Sequence, residues 1–224
     1  LNGRDGKMIG KDSYYDKPEV SNSDLSEMQN YFMPKDYVMD LRDAYRFGNL
    51  IDAMLTEPHR VDFFKQQVDG ESFTKPEWQL AMQMRDAGKK DPMTMQMMKL
   101  CSGQAVKTKL VEFDYFGFKF RLLMRCKFDF WSEQMGWGAD LKSTTATSLK
   151  QFVDACYHFN YDRQRAVYMK IADSPRDMLI GISKKNLKVF HLPITRGDEF
   201  HRSGEAKLNE LAFKYWMLYG DLTL

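Results

Sequence analysis

The stretch RCKFDFWSEQMGWGADLKSTT, residues 125–145, decides how the chain is read. Arg125 to Trp131 intersperses charged with apolar and aromatic residues, the texture of a strand with two unlike faces, and Ala139 to Ser143 repeats it. Gly136 and Gly138 mark a turn between them. With the turn centred between Gln134 and Met135, antiparallel pairing sets Asp129 opposite Asp140 and Lys127 opposite Lys142. Cys126, Phe128, Phe130, Ala139 and Leu141 then fall together on the other face, an apolar set suited to a core. Like charges directly opposed destabilise a sheet unless something offsets them. A divalent cation would do so, because carboxylate oxygens are the hard ligands that Mg²⁺ prefers. A hairpin with solvated charges fits the same spacing, so this pattern alone leaves both readings open.

Outward from this pair, Leu110 to Phe116 and Phe118 to Met124 are aromatic and β-branched runs divided by Gly117, the pattern of a hairpin. Arg125–Trp131 and Ala139–Ser143 count as a third and a fourth strand. Helices are predicted near Ser148–Phe159 and Asp162–Ala172, strands at Met178–Ser183 and Leu187–Ile194, and a closing helix at Glu205–Tyr219. Ahead of the sheet a helix starts at Ser23, whose hydroxyl can cap free amides, and Asp43–Thr56 carries Ala44, Phe47, Ile51, Met54 and Leu55 at helical spacing before Pro58. The methionine-rich stretch Trp78–Leu100 reads as a helical pair that fills core. Helices, sheet, helices, more strand and a helix make an α/β or α+β domain. Residues 1–20 lack periodicity and read as an irregular arm, leaving residues 21–224 as one domain.

Hydrophobic residues at 43% can build a core, while 29% charged residues and a mean hydropathy of -0.55 describe a water-exposed exterior. No apolar stretch approaches the roughly 20 residues that cross a bilayer, and the first residues lack the apolar segment of a signal peptide, so no membrane partner is expected. Cys101, Cys126 and Cys156 form no C-x-x-C pair, which argues against a disulfide framework or cysteine-zinc site and for a cytoplasmic setting. His59, His158, His191 and His201 show no zinc spacing, and no phosphate-binding glycine loop is present. Residues 1–100 carry 14 Lys and Arg against 17 Asp and Glu, whereas the remainder carries 19 against 14. A modest positive bias suits a phosphate-bearing ligand without specifying one.

An acidic residue two places before a lysine occurs at Asp5/Lys7, Asp140/Lys142 and Glu205/Lys207. Only Asp140/Lys142 lies in a predicted strand beside another strand's carboxylate, Asp129. Three further segments settle the reading. The run from Arg125 through Asp129, Asp140 and Lys142 to Thr145, followed by YDRQRAVY at 161–168, resembles the PD-(D/E)XK exonucleases of the exodeoxyribonuclease VIII and phage recombination group, whose pattern is D, then D-x-K, then Q-x-x-x-Y. YRFGNLIDAMLTEP at 45–58 resembles that family's Phe-Gly to Glu-Pro helix, and SNSDL at 21–25 its opening helix. One departure is Asp52, where the family usually has histidine.

The resemblance implies a restriction-endonuclease-like core, a mixed central sheet flanked by helices. It implies a Mg²⁺-dependent deoxyribonuclease, with Mn²⁺ as a substitute, in which Asp129, Asp140, the Leu141 carbonyl and Asp52 hold the metal. Lys142 would orient the attacking water or stabilise charge developing on the phosphate. Gln164 and Tyr168, one turn apart on a helical face, would stand beside the active site. Ser21 or Ser23 would take a terminal phosphate, although capping explains Ser23 equally well. Arg121, Arg125, Thr144, Lys150, Arg163 and Arg165 are candidate DNA contacts, with solvated surface as the plainer reading of each charge. The implied activity is an exonuclease on double-stranded DNA ends in phage-type recombination, leaving single strands for an annealing protein, and the implied assembly is a ring of three or four copies. An endonuclease of the same superfamily, or a DNA-binding module silenced by Asp52, are the alternatives.

Overall fold

The structure, a computed structural model, describes residues 14, 17–32 and 42–220. The arm expected at residues 1–20 therefore lies mostly outside the described residues, as does the Asp5/Lys7 pair. The first helix, α1 (Asn22–Phe32), begins one residue earlier than anticipated. Ser21, not Ser23, caps it: the Ser21 hydroxyl accepts the Asp24 N–H at 3.3 Å, and the Asp24 carboxylate accepts the Ser21 N–H and O–H, each at 2.8 Å. Helix α2 (Arg42–Thr56) buries Phe47, Leu50, Ile51, Ala53, Met54 and Leu55 as its spacing requires. A small antiparallel sheet of β1 (Val61–Asp62), β2 (Gln67–Val68) and β3 (Glu71–Ser72) leads into α3 (Lys75–Lys90) and α4 (Pro92–Leu100). These two are the methionine-rich helical pair. Thr74 and Glu77 form a reciprocal capping box on α3, and Asp91 caps α4.

The main sheet has five strands in the order β4-β5-β6-β7-β8, formed by β4 (Ser102–Tyr115), β5 (Phe118–Ser132), β6 (Trp137–Thr144), β7 (Arg176–Ser183) and β8 (Val189–Thr195). The β4–β5 hairpin turns through Phe116 and Gly117, both left-handed, with φ of 51° and 85°. The separate second and third strands expected from the sequence are a single strand, β5, because nothing between Met124 and Arg125 breaks the extended backbone. Helices α5 (Leu149–His158) and α6 (Tyr161–Ala172) cross over from β6 to β7, which are parallel, while the other neighbours are antiparallel. The sheet is mixed for that reason. Helix α7 (Glu199–Tyr219) is longer than anticipated, since Asp198 supplies its cap by accepting the His201 N–H at 2.8 Å.

Helices lie on both faces. On one, α2, α3 and α4 pack onto Phe130, Ala139, Leu141, Met178, Ile180 and Ile182. On the other, Leu25 of α1, Val167 and Tyr168 of α6 and Leu208 and Ala212 of α7 cover the β4–β5 hairpin, with Phe152 and Cys156 of α5 beside them over Leu179. Among the described residues no helix is long and apolar enough to cross a membrane.

Candidate active site

Strands β5 and β6 pair at Phe130–Ala139, Trp131–Gly138 and Ser132–Trp137, the register anticipated from the turn. At Gly138 a Cβ would stand 2.4 Å from the Phe130 carbonyl oxygen and 2.7 Å from the Phe128 ring, so only glycine fits there. Past Ala139 the strands separate, and β6 continues beside β7 from Gly138–Asp177 to Thr144–Ser183. Asp129 and Asp140 are consequently not backbone partners. The Asp129 carboxylate instead bridges the opening, accepting the Leu141 N–H at 2.7 Å, a donor that the β5 backbone no longer reaches.

The β4–β5 ladder is interrupted at the same level. Gly103–Phe130 and Ala105–Phe128 are paired, but Gln104 between them is left-handed, with φ of 53°. Its side-chain amide donates to Thr56 Oγ1 of α2 at 3.0 Å and to Asp129 Oδ1 at 3.4 Å, tying helix and strand together. The interruption corrects the single apolar face expected here: Cys126 and Phe128 belong to the core under α6 and α7, Phe130, Ala139 and Leu141 to the core under α2 and α3.

The charges at this opening are nearly all buried. Asp129 is 8% and Asp140 3% exposed. Burial, then the charge of Asp140, pushes the Asp129 carboxyl up to about 7. Asp52, partly buried on α2, lies well above the usual carboxylate range because of burial and the charge of Asp129. Asp140 is held from both ends, by an ion pair of its Oδ2 with Lys142 and by Arg165 3.2 Å from its Oδ1. Burial works against the Lys142 cation, yet Asp140, Tyr161 and Asp129 outweigh it and keep the ammonium charged. The Tyr161 ring lies 4.6 Å from Lys142 Nζ. Arg165 also reaches Asp177 at 3.3 Å, and burial lifts that carboxyl to about 7 against the pull of Arg165.

Four carboxyls, Asp52, Asp129, Asp140 and Asp177, thus crowd one largely buried region, with Lys142 and Arg165 among them and Lys127 acting on Asp52. The raised carboxyls show that the cluster resists full ionisation, and a divalent ion would favour the charged forms. Among the described residues no three His, Cys, Asp or Glu form a ready-made metal cage. The donor chemistry fits an ion such as Mg²⁺, which takes one or two carboxylates and completes its shell with water and phosphate oxygens.

The remaining candidates divide by burial. Tyr168 is 8% exposed and packs edge-on to Phe128, with the Arg165 guanidinium 3.9 Å above its ring. Gln164 is partly buried, and its Oε1 has no hydrogen-bond partner. Arg163, 2% exposed, is used inside the fold, donating to Asn22 and Gln29 at 2.9 Å each and to Ser26, so that α6 is fastened to α1. Arg125, also 2% exposed, pairs with Asp24 at 3.4 Å and donates to the Lys17 carbonyl at 3.0 Å. Both guanidinium groups are spent on partners inside the fold. Arg165 is wholly buried as well. Arg121 and Lys150 are exposed, on β5 and α5. Thr144 Oγ1 accepts the Ala146 N–H at 3.1 Å. Ser21 is buried in its own cap, and Ser23 is exposed in the first turn of α1. Sequence reasoning missed Gln104 and Asp177: a polar residue at a strand end carries no local sign of the distant partner it will meet.

A family model described as a PDDEXK-like domain of unknown function (DUF3799) matches residues 27–216. No curated protein matches the chain. Among solved structures, a candidate exonuclease from Eubacterium rectale aligns at a TM-score of 0.61 and 17% identity, over 93% of this chain and 85% of its own, a likeness in fold. A phage-related exonuclease from Haemophilus somnus 129PT aligns at a TM-score of 0.44 and 10% identity, over 95% of this chain and 89% of its own.

Proposed function

The chain belongs to the PDDEXK-like family DUF3799, and on that premise we propose that it is a divalent-metal-dependent deoxyribonuclease that hydrolyses phosphodiester bonds at the ends of double-stranded DNA. The observation that carries this reading is the meeting of Asp129, Asp140 and Lys142 where β5 and β6 part. Asp129, Asp140, the Leu141 carbonyl and Asp52 are the groups that would hold Mg²⁺ or Mn²⁺. When bound, such an ion supplies positive charge to the scissile phosphate and acidifies water beside it.

The chain's own residues do the rest. Lys142, kept protonated by its carboxylate neighbours, donates hydrogen bonds to charge that develops on the phosphoryl oxygens as the bond breaks. Tyr161 confines that ammonium on one side, so that its direction is set before substrate arrives. Asp129 spends one oxygen on the Leu141 N–H and keeps the other directed to Gln104, which fixes the carboxylate plane. Gln164, with an unsatisfied buried oxygen, is a further group available to the substrate or its water.

The finer reading is an exonuclease of phage-type recombination, cytoplasmic, contained in residues 21–224 and supplying single strands to an annealing protein. A digest with Mg²⁺ of end-labelled linear duplexes bearing 5′-phosphate or 5′-hydroxyl ends, run beside closed circular DNA, tests it. Mononucleotide or short-oligomer release from linear DNA, with circles untouched, is the expected result. Circles without nicks cut as readily as linear DNA would make the protein an endonuclease. DNA binding with no cleavage in either Mg²⁺ or Mn²⁺ would make it a silent binding module, the outcome that Asp52 in place of the family histidine favours.

A further inference from the structure

We infer that Arg165 is a positioning residue for the cation site: a buried guanidinium, anchored on Asp177, fixes the direction in which the Asp140 carboxylate points. This rests on the cation-site reading given above. Arg165 has no exposed surface, so it cannot serve the DNA backbone. Its Nη2 stands 3.2 Å from Asp140 Oδ1 and its Nη1 3.3 Å from Asp177 Oδ1. The two carboxylates come from neighbouring parallel strands, β6 and β7, and Asp177 is itself held by the Met178 N–H at 2.6 Å. The Tyr168 ring at 3.9 Å and the Phe128 ring at 5.7 Å flank the guanidinium. Between them the two carboxylates and two rings confine the planar fork, whose one hydrogen bond among the described residues, from Nη1, goes to Asp177.

The consequence falls on Asp140. Oδ1 faces Arg165 and Oδ2 faces Lys142, so an ionic contact bounds the carboxylate on each side. Apolar residues of similar volume often serve stability as well as a buried ion pair does, so the pair is weak evidence of a purely stabilising role. Groups that orient a metal-binding carboxylate from behind typically govern affinity by 10–100-fold.

Positioning and simple electrostatics predict opposite results. A buried positive charge repels a cation, so as a mere charge Arg165 would weaken metal binding, and its removal would tighten it. Arg165→Met/Asp177→Asn, compared with the wild type at pH 8 where both groups carry their charges, removes one positive and one negative charge together and leaves the net charge unchanged. Isothermal titration with Mn²⁺ and with Ca²⁺, which needs no turnover, is then compared with thermal unfolding. The expected result is a fall in Mn²⁺ affinity of about tenfold or more with a melting temperature near that of the wild type. Arg165→Lys keeps the buried charge but cannot span both carboxylates, and it should show the same loss. Wild-type affinity in either folded variant would overturn the inference while leaving the cation site in place. A wild-type chain that takes up neither ion would overturn the cation site itself, and this inference with it.

Discussion

Replacing Asp129 by asparagine should stabilise the metal-free protein while abolishing its affinity for cations. Burial and the charge of Asp140 raise the Asp129 carboxyl from its ordinary 3.8 to about 7. Between those values the folded protein keeps a proton that the unfolded chain has already released, so stability falls as pH rises through this window and stays low above it. At about 1.4 kcal/mol per pH unit, holding this group ionised above pH 7 costs about 4 kcal/mol. Asparagine carries no charge and still offers an oxygen to the Leu141 N–H, which Asp129 accepts at 2.7 Å. It gives up the longer bond from Gln104 at 3.4 Å, a loss of about 1 kcal/mol. The net gain is about 3 kcal/mol, or about 6–12 °C in melting temperature for a chain of this length. Thermal unfolding followed by circular dichroism in EDTA, at pH 8 and pH 5, measures it. At pH 5, part-way into that window, the wild type has lost only about 1.6 kcal/mol by this route, so the gain should shrink to under about 1 kcal/mol. A variant that melts below the wild type at pH 8, or gains equally at both pH values, refutes the reasoning. Added Mn²⁺ should raise the melting point of the wild type and leave the variant unmoved.

Lys142→Ala should lower the rate of DNA cleavage by about 10²–10³-fold with Mn²⁺ binding retained, because the ammonium acts on charge that exists only in the transition state; an unchanged rate counts against its role. Arg163→Ala should cost about 2–4 kcal/mol of stability through its lost bonds to Asn22, Ser26 and Gln29, yet leave the salt dependence of DNA binding unaltered. A salt slope smaller by about one would instead make it a phosphate contact. Gly204→Ala places a methyl 2.0 Å from the Asp162 carbonyl oxygen and 2.8 Å from the Arg163 nitrogen, backbone atoms that cannot yield, so α7 must lift from α6. Urea unfolding should report a loss of about 3 kcal/mol, and a wild-type midpoint would contradict the packing described. Light scattering with and without linear duplex DNA should show a ring of three or four copies; a mass near the 26.3 kDa monomer in both conditions eliminates the ring.

The sequence by itself determined the order of the long helices and the course of the main sheet, and the β5–β6 register that holds from Ser132–Trp137 to Phe130–Ala139, just short of Asp129 and Asp140. These are local matters. A strand of period two and a turn of a few residues set which neighbours within fifteen positions face one another, and both are written in adjacent residues. Only the tertiary structure decided what surrounds those charges. Arg125 and Arg163 belong to a residue type that normally seeks water, yet both are buried because Asp24, Asn22 and Gln29 arrive on α1 from more than a hundred positions away. Gln104 reaches Asp129 because one left-handed residue breaks the β4–β5 ladder, and Asp177 reaches Arg165 because the α5–α6 crossover lays β7 beside β6. Phe128 and Phe130, alike and two apart in sequence, fall into different cores at the level where Gln104 interrupts the β4–β5 ladder. A side chain's own type states what it can bond. Its burial and partners follow from how distant elements stack, and that stacking leaves no mark at the residue itself.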